Sequence, residues 1–288
     1  MRKIIFTIIS MCTITLFLSV GYHEYLKIFP KNYSIIFLDI ELGDSILIKT
    51  PEGKAILIDT GSSRNTLNKI SQYQSFFKKN IDVLVLSHGD SDHIGGATSL
   101  LKKYNIGHIL FTGALKKSPI FSEFFEEVQA RDISYKIIES KKDFILFPHI
   151  IFDSLYPFEN ISFLSEHGNN ESLVFSLSFF GKKILFTGDI EKESENKLVL
   201  SGEDLRSDIL KVPHHGSKTS SSESFLKAVA PQFAVVQAAL KNKFKHPHKE
   251  IVERHHDFGV EFLQTGKEGD IIFCISAKRP EFWRCEDE

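Results

Sequence analysis

Ile81-Asp82-Val83-Leu84-Val85-Leu86, followed at once by Ser87-His88-Gly89-Asp90-Ser91-Asp92-His93-Ile94-Gly95-Gly96, decides the fold. The first six residues have the length and Val/Ile/Leu content of a buried strand. The next seven carry two imidazoles and two carboxylates at the point where that strand ends, and Gly95-Gly96 then opens toward a helix. A strand-to-helix junction aims several side chains at one place. Neutral imidazole nitrogen and ionised carboxylate oxygen are the groups that hold divalent cations. The bland alternative, a polar surface loop, fits poorly because the cluster follows a core strand and not a run of charges.

Around this junction the 288-residue chain is long enough to bury a sizeable core. Its hydrophobic content of 42% and charged content of 25% are ordinary for a soluble fold. A formal charge of −2 excludes a whole-surface polyanion binder, so any nucleic-acid contact must come from a local patch. The N-terminus departs from the average. Arg2-Lys3 precede seventeen uncharged residues, Ile4 to Val20. This reads as a secretory signal or a membrane anchor over residues 1–21, with the rest outside the cytoplasm. Ser19-Val20-Gly21 offers small residues for cleavage without a clear Ala-x-Ala, so both fates stay open. Cys12 lies in the apolar run, while Cys274 and Cys285 could pair although nothing in their spacing demands it.

From residue 32 to 288 the chain reads as one hydrolase-sized unit. Strands are expected at 34–39, 45–49, 55–59, 81–86, 106–111, 135–138, 149–156, 173–180, 184–187, 208–212, 233–237, 260–263 and 271–275. Helices are expected at 66–78, 94–103, 121–130, 191–200, 223–230 and 250–256. Pro51-Glu52-Gly53 turns the second strand into the third. Hairpins followed by strand–helix alternation, twice over, fit two mixed sheets packed face to face with helices outside.

Four further polar sites close strands or precede a helix: Asp59-Thr60-Gly61, Thr187-Gly188-Asp189, Pro213-His214-His215-Gly216-Ser217 and Lys245-His246-Pro247-His248. Each alone has a dull reading as a turn cap or a surface histidine. Together they resemble the metallo-β-lactamase superfamily, in its ComEC-like branch of DNA-uptake proteins. The superfamily core His-x-His-x-Asp-His appears here as His88-Gly89-Asp90-Ser91-Asp92-His93, with Asp90 in place of the second histidine, as is typical of that branch. Leu38-Asp39 with Gly43-Asp44, Leu57-Ile58-Asp59-Thr60-Gly61, Asn169-Asn170-Glu171-Ser172, Thr187-Gly188-Asp189, Lys211-Val212-Pro213-His214-His215-Gly216-Ser217 and His246-Pro247-His248 complete the match.

The resemblance implies an α/β (α+β in some schemes) four-layer αββα sandwich. It implies two divalent ions, Mn or Zn with Mg also possible. His88 and Asp90 would hold one ion, Asp92 and His93 the other, with Asp189 bridging. Of the paired histidines one is expected to ligate, and relatives favour His215, leaving His214 for the substrate. Where the wider superfamily has a third-motif histidine this chain has Asn169-Asn170. Asn170 is favoured over His167 as a weak ligand or supporting group.

Two ions roughly 3.5–4 Å apart can activate a shared water and clamp a phosphoryl oxygen, so no Ser or Cys nucleophile is needed. Asp92 is expected to be indispensable. Ser217 and Lys218, with the helix start that follows, form a candidate phosphate cradle or simply cap that helix. Lys243, Phe244 and His246 suggest a groove that tracks a backbone and stacks a base, against the alternative of a solvated basic loop. His248 or His246 is a candidate proton donor to the leaving oxygen. The favoured expectation is a metal-dependent phosphodiesterase or nuclease acting on extracytoplasmic DNA, either free-standing or beside a separate membrane channel protein. The alternatives are acyl or lactam hydrolysis, which the Asp90 substitution disfavours, and a non-catalytic binding domain.

Overall fold

The computed structural model describes residues 2–62, 64–112, 119–138, 142–158 and 168–285. The chain starts as a helix, α1 (Arg2–Ile28), that continues through Gly21 for two turns beyond the uncharged run. By length and composition α1 can cross a membrane, and its apolar window is not buried against the rest of the chain.

Six strands follow: β1 (Tyr33–Phe37), β2 (Ile46–Lys49), β3 (Ala55–Ile58), β4 (Asn80–Leu86), β5 (Asn105–Phe111) and β6 (Ser134–Ile137). The next seven are β7 (Lys142–Phe147), β8 (Ile150–Tyr156), β9 (Val174–Phe179), β10 (Lys182–Phe186), β11 (Ile209–Lys211), β12 (Phe233–Val236) and β13 (Glu261–Gln264). They form a second sheet, after which β14 (Ile271–Ser276) and β15 (Arg279–Arg284) return to the first. The first sheet runs β15-β14-β1-β2-β3-β4-β5-β6, and the second β13-β12-β11-β10-β9-β8-β7.

The sandwich follows from period-two alternation in these strands. In β1, β3 and β4, Ile35, Phe37, Ile56, Ile58, Val83 and Val85 face the second sheet, meeting Phe152, Phe175, Leu177 and Phe186. Their neighbours Ile36, Leu57, Leu84 and Leu86 face outward onto α2 (Arg64–Tyr73), α4 (Ala97–Lys103) and α5 (Pro119–Ala130). Leu185 and Leu210 likewise face outward from the second sheet onto α6 (Lys192–Leu200) and α7 (Glu223–Val229). The four layers are therefore helix, sheet, sheet, helix, as expected.

Three local features depart from the sequence reading. The helix expected over 94–103 is two: α3 (Ser91–Ile94) and α4, broken at Gly95-Gly96. There the Gly96 N–H turns to the Gly61 carbonyl, and a Cβ on Gly95 would collide with the backbone of Ser62. Strands β7 and β15 were not anticipated. β15 contains Pro280 and lies at a sheet edge, where the missing N–H is tolerated. The pairing left open in the sequence is made, for Cys274 and Cys285 form a disulfide that ties β14 to the end of β15.

Polarity positions the site. β3 and β4 run parallel, as do β10 and β11. Their C-terminal ends meet where the Leu173 N–H donates to the Ser87 carbonyl at 2.8 Å, linking the two sheets. Gly188, with φ of 51°, is required here: a Cβ would lie 2.6 Å from that of Ser172.

Candidate metal centre

At the meeting point of these ends, Asp92, His93, Asp189 and His215 bring their ligand atoms within 4.8 Å of one another, and Asp44, Asp59 and His93 form an adjoining group. His93 and His215 place Nε2 at 3.3 Å and 3.2 Å from Asp189 Oδ2, and His215 Nε2 is 3.4 Å from Asp92 Oδ2. His88 Nε2 points toward Asp90 Oδ2 at 4.0 Å, on the cavity side of the same junction.

Each imidazole is held by its other nitrogen. His93 Nδ1 donates to Asp59 Oδ2 at 2.8 Å, and His215 Nδ1 to the Gln237 carbonyl at 3.0 Å. His88 Nδ1 lies 3.0 Å from Ser87 Oγ, which in turn donates to Asp59 Oδ2 at 2.6 Å. All three Nε2 atoms are left buried without a hydrogen bond. An orphaned buried nitrogen is costly unless something meets it. Three rings fixed through Nδ1 with Nε2 converging on carboxylates are what a cation site needs. The donor set of Asp92, His93, Asp189 and His215 fits a divalent cation, and His88 and Asp90 lie 4.0 Å apart beside it.

Charge balance points the same way. Burial would push His93 down, but the Asp189 and Asp59 carboxylates outweigh it and hold the ring well above the usual imidazole range. His215 behaves alike, burial being overcome by Asp189 and Asp44. Burial opposes ionisation of Asp189 and Asp44 too. His215, His93 and Lys211 nevertheless pull Asp189 well down, and Lys211 with His215 lowers Asp44. Asp92 is lowered against its burial by the adjacent His215 imidazole and by the charge of His93. His88, by contrast, is brought down to about 4, by burial and then by the neighbouring His93 charge. The surrounding carboxylates favour the protonated form of His93 and His215, and a divalent cation would displace those protons.

Two participants escaped the sequence reading as functional groups. Lys211 is buried, pairs with Asp44, donates to the Gly188 carbonyl at 3.0 Å and lies 3.5 Å from Asp189 Oδ1. A lysine ending an otherwise apolar strand next to Val212-Pro213 was the available signal. Asp44, equally buried, sits in the loop between β1 and β2, where Gly43 packs against the Asp92 backbone so closely that no Cβ would fit.

A cavity of about 200 Å³ opens over the cluster, lined by Asp90, Asp92, Asp189, His214, His215 and His246 among others. The paired histidines diverge as expected but not through an extended chain, for both have left-handed backbones, φ 48° and 50°. His215 enters the cluster. His214 stands at the rim, Nε2 3.3 Å from Asn169 Nδ2 and Nδ1 3.2 Å from Glu191 Oε1. Asn169 lines the cavity, whereas the Asn170 side chain accepts from the Glu191 N–H at 2.9 Å and faces a different surface depression. His167 lies outside the described residues. Ser217 Oγ bonds Thr219 Oγ1 at 3.0 Å, and the Lys218 N–H donates to His248 Nδ1 at 3.2 Å. Neither Ser217, Lys218 nor His248 lines the cavity, so the cradle and the His248 proton donor are not assembled around it. His246 does line it. Burial, with the charges of His215 and His214 adding, lowers His246 to about 4.

The metallo-beta-lactamase superfamily profile matches residues 38–239. The chain belongs to that superfamily. ComE operon protein 3 of Bacillus subtilis (strain 168) is 31% identical over 254 residues, which are 82% of this chain and 32% of that protein. Competence protein ComA of Neisseria gonorrhoeae is 30% identical over 247 residues, 85% of this chain and 33% of that protein. The chain thus spans about a third of the length of these relatives. In structure it is similar to the metallo-beta-lactamase fold protein YhfI from Bacillus subtilis, with a TM-score of 0.55 and 12% identity over 88% of this chain and 100% of that one. That likeness concerns the superfamily fold.

Proposed function

We propose that this superfamily hydrolase is a metal-dependent phosphodiesterase that cleaves polynucleotides, DNA first among them, outside the cytoplasm. The observation that carries the reading is continuity between the site and a basic groove. The cavity over the cluster and a neighbouring groove of about 760 Å³ share Asn242 and His246. Lys241, Lys243, Lys245, Lys249 and Lys267 line the groove. Phe244 is exposed, stacks on His246 with ring centroids 5.6 Å apart, and carries Lys243 over its face at 4.7 Å. Lysines along a track with an aromatic platform at its mouth suit a sugar–phosphate backbone and one stacked base. A lactam or thioester would leave that track unused. Similarity to competence proteins supports the same substrate class.

Divalent cations bound by His88, Asp90, Asp92, His93, Asp189 and His215 would supply a nucleophilic water near neutral pH and offset charge on the phosphoryl oxygens. The chain's own residues do the rest. Asp59, Ser87 and the Gln237 carbonyl fix the three rings, and Lys211 holds Asp44 and Asp189. His214 and Asn169 form a polar rim for the diester. Burial favours the neutral form of His246, which would serve as a hydrogen-bonding partner to substrate. A separate channel protein remains a proposed partner, and α1 a proposed anchor.

The test is hydrolysis of DNA, bis-p-nitrophenyl phosphate and nitrocefin by the full chain supplied with Mn²⁺, Zn²⁺ or Mg²⁺, beside Asp92→Ala. Both phosphodiesters should be cleaved, nitrocefin spared, and activity lost in the variant. Equal cleavage by variant and parent, or nitrocefin as the better substrate, would overturn the reading.

A further inference from the structure

The end of the sandwich opposite the cluster carries its own pattern. β1, β3 and β4 begin there, and the β2–β3, β9–β10 and β14–β15 turns close there. One surface depression joins Lys31, Glu52, His149, Phe180 and Lys278 across the two sheets at this end. Just before β4, Phe76 and Phe77 are 73% and 74% exposed, although soluble surfaces seldom present two adjacent aromatic rings. Their rings meet edge to face at 5.6 Å, and Lys79 lies over Phe76 at 5.2 Å.

This loop is locked to α1. Glu24, in the last turns of α1, accepts from Ser75 Oγ and from the Phe76 N–H, both at 2.7 Å, and pairs with Lys27 at 3.3 Å. Exposed Tyr22 and Tyr25 occupy the same stretch, just past the uncharged run, where aromatic residues mark a membrane–water boundary. Whatever depth the end of α1 takes, Phe76 and Phe77 share it. Exposed Lys31, Lys79, Lys278 and Arg279 lie at the same end of the sandwich and complement anionic headgroups.

We propose that this pole is a membrane-docking surface: with α1 inserted, Phe76 and Phe77 enter the headgroup layer of an anionic bilayer and seat the sandwich upright upon it. The inference rests on α1 remaining in the membrane and is independent of the reaction catalysed. β4, seven residues long, then holds the cluster roughly 20 Å from the lipid surface at about 3.3 Å per residue. The site faces water, so its substrate reaches it from solution and lipid headgroups do not.

The full chain, carrying Phe77→Trp, is reconstituted in phosphatidylethanolamine–phosphatidylglycerol vesicles with or without phosphatidylcholine brominated near the carbonyl end. Emission beyond that of the parent's Trp283 is then read. Loss of most of the added emission on the brominated vesicles is the expected result. Unchanged added emission overturns the proposal and leaves the aromatic pair to a protein partner. Phe76→Trp, read the same way, guards against a local effect of one substitution.

Discussion

His93 Nδ1 lies 2.8 Å from Asp59 Oδ2, with both side chains excluded from water. That contact fixes the tautomer of a ring whose other nitrogen faces Asp189 across 3.3 Å. Asp59 makes no approach to the cavity itself, so its effect on chemistry passes through His93 and Ser87. Asp59→Asn keeps the shape and removes the charge. Metal affinity is expected to fall by about 10–100-fold, the usual penalty for losing a partner of this kind. Isothermal titration with Mn²⁺ or Zn²⁺ checks it, and an unchanged Kd would mean His93 is oriented by packing alone.

Lys211 and Asp44 form a fully buried ion pair behind the cluster. Removing one partner strands charge in the interior. Lys211→Met should destabilise the metal-free chain by about 3–5 kcal/mol, because Asp44 and Asp189 lose their shared cation. Lys211→Met/Asp44→Asn should regain much of that loss. Urea unfolding in the presence of a chelator measures both. Equal stability of the two variants would show that Asp189, not Asp44, is the group Lys211 serves.

The protonation pattern carries a pH signature. His93 and His215 sit above the unfolded imidazole value of about 6.5. Their contribution is therefore complete below that pH and lost as pH rises through the folded values. Asp44, Asp92 and Asp189 are lowered, so theirs is present above about pH 4 and lost on acidification. His88 and His246, lowered to about 4, act the other way below about pH 6.5, so the metal-free chain should be most stable near that pH and weaken toward alkaline pH. With metal bound, the histidines are neutral and the alkaline weakening should disappear. Thermal unfolding with and without chelator across about pH 5.5–8.5 reads this directly. Metal uptake at pH 7 should also release protons, seen as a buffer-dependent titration enthalpy.

The Cys274–Cys285 disulfide closes a separation of 11 residues. A loop of that length is worth about 2–3 kcal/mol by chain entropy. Reduction should lower the Tm by several degrees, and mass spectrometry after alkylation should count one reactive thiol, Cys12, before reduction and three after. Three before reduction in protein recovered from the cell envelope would place the chain in a reducing compartment instead.

Much of this architecture was legible because strand alternation is a local property. Ile35, Phe37, Ile56 and Val83 advertise one buried face whatever the tertiary context. The cluster was legible because its members lie in polar interruptions at strand ends. What stayed hidden depends on long-range company. Nothing near Asp44 in the sequence announces that Lys211 reaches it, and Asn169 and Asn170 look alike until one of them bonds the Glu191 N–H. The edge strand β15 has too little apolar alternation to stand out, and the break at Gly95-Gly96 is set by Gly61 and Ser62, over thirty residues away.

The groove separates binding from chemistry. Lys243 and Lys245 line it but not the cavity over the cluster. A small chromogenic diester needs only the cluster, whereas a polynucleotide must also lie along the lysines. Lys243→Ala/Lys245→Ala should weaken DNA binding and flatten its dependence on salt, each lost phosphate contact reducing the log–log slope by about 0.7 for a single strand or 0.9 for a duplex. Turnover of bis-p-nitrophenyl phosphate should stay within about twofold, since surface changes away from a site alter folding little. Phe244→Ala removes the platform without touching charge, so it should raise KM for DNA and leave the salt slope unchanged. If the lysine pair slows both substrates alike, the groove supports the site instead of reading the polymer. If neither variant affects DNA, the backbone takes another route to Asp92 and Asp189.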